Sequence, residues 1–281
     1  MRVLSRRHTG CADSGLKRAI APSWPRLMIE QFLTVHPLSQ IGFLALAALV
    51  GGLARGFSGF GGALIFVPVA SRLAGPQIAA PLLLTIDGLL TLGMLPNGWR
   101  KADRGEVATL LVGALAGVPA GTLLLRHAPT LTLRWIICAI VAALLVLLIS
   151  GWRYHGKPRP HLGVTTGLVA GLFGGVAQLS GPPVVAYWLG GAIAAAQVRA
   201  NLVVYFALST LLTATSYLWS GLLTGEVLLL SLAVGPAYGL GLFAGARLFG
   251  LADEGTFRRI CLGLIACAAV IGLPWLDHLL G

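Results

Sequence analysis

The chain of 281 residues is 57% hydrophobic and only 10% charged, with a mean hydropathy of +0.86. Soluble domains carry about 25% charged residues and transmembrane barrels alternate apolar with polar residues, so both are excluded in favour of an all-α polytopic membrane protein. The net charge of +11 lies in the N-terminal tail and between apolar runs, where it marks cytoplasmic loops rather than nucleic-acid binding.

Residues 1–37 hold Arg2, Arg6, Arg7, Lys17, Arg18 and Arg26. They lack the apolar core of about 7–15 residues that a secretory signal needs. They read as a disordered cytoplasmic tail, or in part as a matter of start-codon choice, since Met28 lies closer to the first apolar run. Apolar windows follow at 38–70, 78–98, 106–126 and 132–151, then at 161–190, 198–220, 226–248 and 257–277. Each reaches the roughly 20 residues that cross a bilayer, which predicts about eight spans. The polar stretch "GWRYHGKPRPH" separates two halves, so the expected organisation is a tail (1–37), a first membrane repeat (38–151), a linker (152–160) and a second repeat (161–281).

The halves match in register. Gly52, Gly56, Gly59 and Pro68 fall on Gly167, Gly171, Gly174 and Pro183 at an offset of 115. Gln77 and Gly105-Glu106-Val107 fall on Gln197 and Gly225-Glu226-Val227 at an offset of 120. Similarity at a steady offset is the mark of duplication, which is common in secondary transporters. With a cytoplasmic N-terminus and eight crossings, Arg100, Lys101 and Arg104 and the linker bases Arg153, Lys157 and Arg159 lie inside. The second half breaks this pattern, because Arg247, Arg258 and Arg259 would then lie outside.

The windows that open each half are too long for one straight crossing and too short for two. About 30 helical residues measure roughly 45 Å against a hydrocarbon core of about 30 Å. A broken or re-entrant helix hinged at glycine is the remaining solution. Irregular backbone at membrane depth is tolerated only against protein or a water-filled cavity, and a helix restarting there aims its positive end into the break. Gly52, Gly56, Gly167 and Gly171 suit close helix packing better. Gly59-Phe60-Gly61-Gly62 and Ser180-Gly181-Pro182-Pro183 suit the break, because packing does not call for a double proline in an apolar run.

"GLARGFSGFGGALIFVP" (52–68), "GLVAGLFGGVAQLSGPP" (167–183) and "VRANLVVYF" (198–206) resemble the TauE/SafE-type sulfite exporter family, and the likeness runs from about residue 40 to 275. The resemblance implies a duplicated permease with a Gly-rich motif in each half, moving sulfite, sulfonates or related organic acids. The second copy departs from the first, with Val176 and Ala177 where Gly61 and Gly62 would fall. A symmetric site is not expected.

Ionisable residues within spans default to functional hypotheses. Arg55 either meets the anion or snorkels to an interface. Asp87, deep in "LLLTIDGLLTL", either takes up a proton for coupling, pairs with Arg55 or Arg199, or is a structural carboxyl. Ser58, Gln178 and Ser180 could donate to an oxyanion. The resemblance adds Arg199 and Asn201 of the RAN segment. The candidate substrate contacts are thus Arg55, Ser58, Gly59, Gly61, Gly62, Pro68, Gln178, Ser180, Gly181, Pro182, Pro183, Arg199 and Asn201, with Asp87 for coupling or ion pairing.

An intramembrane enzyme would show paired acids, a metal set or a nucleophile with its base. The six histidines all lie at tails or span edges, and Cys11, Cys138, Cys261 and Cys267 have no metal-like spacing. No catalytic residue, cofactor or metal is expected. The partners are a small anion and the lipid bilayer. A channel or a non-transporting membrane subunit remains the alternative.

Overall fold

The computed structural model describes residues 34–93, 99–154, 156, 159–189, 195–248 and 254–276. The tail up to residue 33, with Cys11 and His8, lies outside them, as do His155, Lys157 and His278. From Leu38 onward the described elements are helices α1 (Leu38–Ser58), α2 (Gly62–Ala74), α3 (Pro76–Gly93), α4 (Arg104–His127) and α5 (Thr130–Ser150). They continue with α6 (Pro160–Ala177), α7 (Gly181–Leu189), α8 (Ala195–Trp219), α9 (Gly225–Leu248) and α10 (Glu254–Gly272), then a 3-10 turn at Pro274–Leu276.

Among the described residues six helices are long and apolar enough to cross a membrane: α1, α4, α5, α6, Gln197–Trp219 of α8, and α9. At 1.5 Å per residue, the 21 residues of α1 measure about 31 Å, close to the hydrocarbon thickness. Leu46, Val112, Leu115, Val146, Leu232 and Leu240 all stand exposed, a lipid-facing exterior in which the large side chains are apolar.

Each Gly-rich window folds as a helical hairpin. Gln40 at the start of α1 donates to the Leu73 carbonyl at the end of α2. A Cβ built on Gly51 would lie 3.1 Å from the Gly62 carbonyl oxygen, so α2 runs back along α1. In the second window the Tyr187 hydroxyl of α7 donates to the Arg159 carbonyl beside the start of α6, at 3.3 Å. Gly174 lies against Ser180 across that tip. The re-entrant form of the expected break is therefore the one adopted.

Glycine holds the hairpins in place. In a bilayer, helices associate through close packing of small residues rather than through expulsion of water. Gly113, Gly117 and Gly121 of α4 face Gly167, Gly171 and Gly175 of α6 so closely that any added Cβ would sit 1.9–2.8 Å from the partner backbone. Gly52 and Gly56 of α1 meet α9 at Tyr238 and Leu242 in the same way, and Gly241 and Gly245 of α9 meet Leu49 and Leu53. Within each pair the contacts advance together along both chains, so the helices run parallel.

Elements before the linker pack on elements after it. α1 lies on α9, α4 on α6 and α8, α2 on α10, and α3 on α9. One end of the bundle gathers the ends of α2 and α10 and the start of α5, where Arg72 donates to the Ile271 carbonyl and Arg134 to the Gly272 carbonyl, both at 3.2 Å. At the other end, called here the linker end, Arg258 donates to the Leu148 carbonyl at 2.9 Å. There Asp103 caps α4, its Oδ1 accepting from the Gly105 and Glu106 amides at 2.9 and 3.1 Å.

Candidate functional site

The first tip turns at Gly59, whose φ of 83° lies in the left-handed region that glycine enters freely. The Ser58 hydroxyl donates to the Ala54 carbonyl at 2.7 Å and accepts the Gly61 amide at 3.0 Å. It thereby satisfies one of the free N–H groups that open α2.

The second tip turns four residues later than the duplication places it. Gly174 is the counterpart of Gly59, yet α6 runs through it and ends at Gln178, a non-glycine residue with φ 60°. Val176 and Ala177 stand where the first copy has two glycines, and they carry the helix one turn further. The left-handed conformation costs a residue with a side chain about 1–2 kcal/mol, and such strain gathers at functional sites. Gln178 Nε2 is sealed from solvent and makes no hydrogen bond of normal geometry. α7 then restarts at Gly181, and because Pro182 and Pro183 carry no N–H, its opening donors are the amides of Gly181 and Val184.

The two tips meet. A Cβ on Gly181 would lie 2.9 Å from the Cβ of Phe60, so the second tip is glycine where the first presents its phenyl ring. Around this meeting point lies a cavity of about 50 Å³, lined by Arg55, Asp87, Gln178, Ser180, Ser209 and Thr210 among others. A water needs about 10–15 Å³ by this kind of measure, so the space takes a few waters or one small oxyanion.

One ion pair dominates the electrostatics of the cavity. Arg55 Nε stands 3.1 and 3.3 Å from the two Asp87 carboxylate oxygens. The Tyr238 hydroxyl donates to the same carboxylate at 2.8 Å, and the guanidinium lies 5.9 Å from the centre of the Phe206 ring. Both charged side chains are largely buried, at 17% and 22% exposure. Neither snorkels to water.

Of the expected contacts, Arg55, Gln178, Ser180, Gly181 and Asp87 line this cavity. Ser58, Gly61 and Pro182 face a second, larger space beyond Phe60, and Pro183 faces a third, near Tyr154 and Tyr187. Gly62 packs beneath Tyr238 and Arg55, and Pro68 is buried against Gly272 of α10. Arg199 is exposed at the start of α8. Asn201 is fully buried and works as a clamp: its Oδ1 accepts the Asp103 amide at 2.7 Å and its Nδ2 donates to Glu106 at 3.1 Å. It fastens α8 to the cap of α4, away from the cavity.

Sequence reasoning passed over Phe60, Phe206, Ser209, Thr210, Thr213 and Tyr238. A signal existed for the α8 hydroxyls, since Ser209, Thr210 and Thr213 lie within about one turn of one another in a largely apolar span. None existed for Tyr238, which reaches Asp87 only through the packing of α9 against α3. Among the described residues no three His, Cys, Asp or Glu side chains gather as a metal would require.

A helical membrane bundle with a small polar cavity between two hairpin tips is built to hold a small solute inside a bilayer, the architecture of a membrane transporter. The sulfite exporter TauE/SafE family matches residues 44–271, and the chain belongs to that family of membrane exporters. It is similar to the "Probable sulfite/organosulfonate exporter TauE" of Cupriavidus necator, with 26% identity over 235 residues covering 77% of this chain and 88% of the relative. No solved structure matches the chain.

Proposed function

We propose that the protein exports sulfite or a small sulfonate across the cell membrane, binding the anion in the cavity where the two tips meet. The observation that carries this reading is the convergence of both breaks on one polar space at the Arg55–Asp87 pair. Because Asp87 neutralises Arg55, the site presents no net charge at rest. The anion competes with the carboxylate for the guanidinium and takes its other hydrogen bonds from Gln178, Ser180 and the opening amide of α7, at a positive helix end. A neutral site suits transport, which requires release as well as capture.

The fold supports an inverted duplication rather than two halves in the same orientation. Each half is a hairpin that returns to its starting face, followed by three crossings: α3, α4 and α5, then α8, α9 and α10, with α3 and α10 counted on their 18 and 19 residues, about 27–29 Å of helix. An odd number of crossings reverses the second half. This arrangement brings Arg247, Arg258 and Arg259 to the face that holds the linker bases, and it has the chain enter α1 from the opposite face, against the expectation of a cytoplasmic N-terminal tail. Arg100, Lys101, Arg104, Arg153, Arg159, Arg199, Arg247, Arg258 and Arg259 all fall at the linker end, against Arg72, Arg126 and Arg134 at the opposite end. Counted over the loops and helix ends after α1, the positive-inside rule makes the linker end cytoplasmic, and α10 ends on the outer face. A C-terminal alkaline phosphatase fusion is expected to be active and a C-terminal green fluorescent protein fusion dark. The reverse result would put the second half the other way up.

Binding is tested on the purified protein. Sulfite is expected to raise its melting temperature in a saturable way, and Gln178→Ala is expected to weaken that response about tenfold, as loss of one hydrogen bond to a charged group does. Equal stabilisation of both proteins would remove Gln178 from the site.

A further inference from the structure

We propose that Phe60 is the gate through which the anion enters and leaves the binding cavity at the linker end. Phe60 lines two spaces. On one side is the polar cavity of about 50 Å³. On the other is a vestibule of about 280 Å³ between Ser58, Trp152, Arg153, Pro182, Arg258 and Cys261. The vestibule reaches the linker end, since Trp152 and Arg153 are exposed there. Arg153 and Arg258 give it a positive rim that draws small anions inward.

The backbone around Phe60 is suited to a gate. Its ring projects from a tip flanked by Gly59, in the left-handed region, and Gly61. Its Cβ rests on the bare backbone of Gly181. One residue from each hairpin thus meets across the path, and rotation of a single side chain, or a small shift of one tip, joins the two spaces. The Gly181 contact explains why the second tip has no side chain there. The substrate class rests on the transport reading above. The barrier itself does not, and it is testable without any flux.

The test uses the full chain with Cys11, Cys138 and Cys267 replaced by serine. One version keeps Cys261 as a reporter in the vestibule, and the other replaces it with serine and carries Thr210→Cys as a reporter in the cavity. Each is treated in membrane vesicles with the impermeant reagent 2-sulfonatoethyl methanethiosulfonate, applied from each side in turn. From the linker side, Cys261 is expected to react at the same rate whether residue 60 is Phe or Ala. The cavity reporter is expected to react at least tenfold faster with Phe60→Ala. Phe60→Leu, the milder change, should move the rate in the same direction and serves if the alanine variant does not fold. Equal cavity labelling with Phe, Leu and Ala, while Cys261 remains reactive, would overturn the gate. Faster cavity labelling in a protein that moves no anion would sink the transport reading and leave the gate standing.

Discussion

Arg55→Ala is expected to abolish sulfite flux and to destabilise the protein, and the two losses separate. Removing the guanidinium takes away the only cation lining the cavity among the described residues, and with it the group the anion shares with Asp87. It also leaves a largely buried carboxylate without its cation, although the Tyr238 hydroxyl still donates to it. Breaking a buried pair by removing one member costs about 3–5 kcal/mol, and the residual exposure of both side chains puts this case near the lower figure. Arg55→Leu combined with Asp87→Asn removes both charges, so it should regain most of the stability and none of the flux. Recovery of flux in the double variant would show that Arg55 matters only as the partner of Asp87.

Asp87→Asn alone makes the complementary case. It frees the guanidinium for the anion, so KM should fall, and turnover should fall with it because release slows. The same variant addresses proton coupling, the other role open to this carboxyl. If its flux responds to a pH gradient as the parent does, Asp87 carries no coupling proton and its role is the ion pair.

The second large effect is expected far from the cavity. A Cβ on Gly167 would lie 1.9 Å from the Leu110 carbonyl oxygen and 2.6 Å from the Leu110 carbonyl carbon. Both are backbone atoms of α4, so no side-chain rotation relieves the clash and the two helices must separate by more than an ångström. Gly167→Val should therefore leave little folded protein in the membrane, measured as monodisperse material after detergent extraction. Gly263→Ala, on α10 where no atom lies within 4 Å of the added carbon, should fold normally and gain about 0.5–1 kcal/mol from helix propensity. Similar yields of the two variants would show that the α4–α6 seam is looser than its glycines require.

Much of this was legible in the sequence because glycine and proline leave a strong mark in an apolar chain. A window of about 30 residues fits neither one crossing nor two, and it led directly to the broken helices at Ser58–Gly61 and Gln178–Ser180. The spacing of four between Gly52 and Gly56, and between Gly167 and Gly171, marked packing surfaces, and both pairs lie against neighbouring backbone. The sense in which each window turns was not legible. A hairpin and a kinked crossing have the same composition, and long-range contacts such as Gln40 with Leu73 and Tyr187 with Arg159 distinguish them. That difference decides the number of crossings, and so whether Arg247, Arg258 and Arg259 sit with the other bases.

The site divides along the same line. Arg55, Asp87, Gln178 and Ser180 stood out because polar groups in an apolar span need a reason, and all four line one cavity. Asn201 stood out equally, yet its reason is the cap of α4, a contact between residues nearly one hundred positions apart. Phe60 was hidden by the opposite effect. A phenylalanine in an apolar run raises no question until its neighbours across the tip are known.

The central claim is tested most directly by flux in proteoliposomes of the purified chain, with sulfite, a small sulfonate and sulfate offered in turn. Sulfite is expected to move fastest, with larger sulfonates slowed by a resting cavity of about 50 Å³, and Arg55→Ala should reduce every rate to that of empty liposomes. Folded protein that passes none of these anions, or an Arg55→Ala variant that passes them at the parent rate, would contradict it.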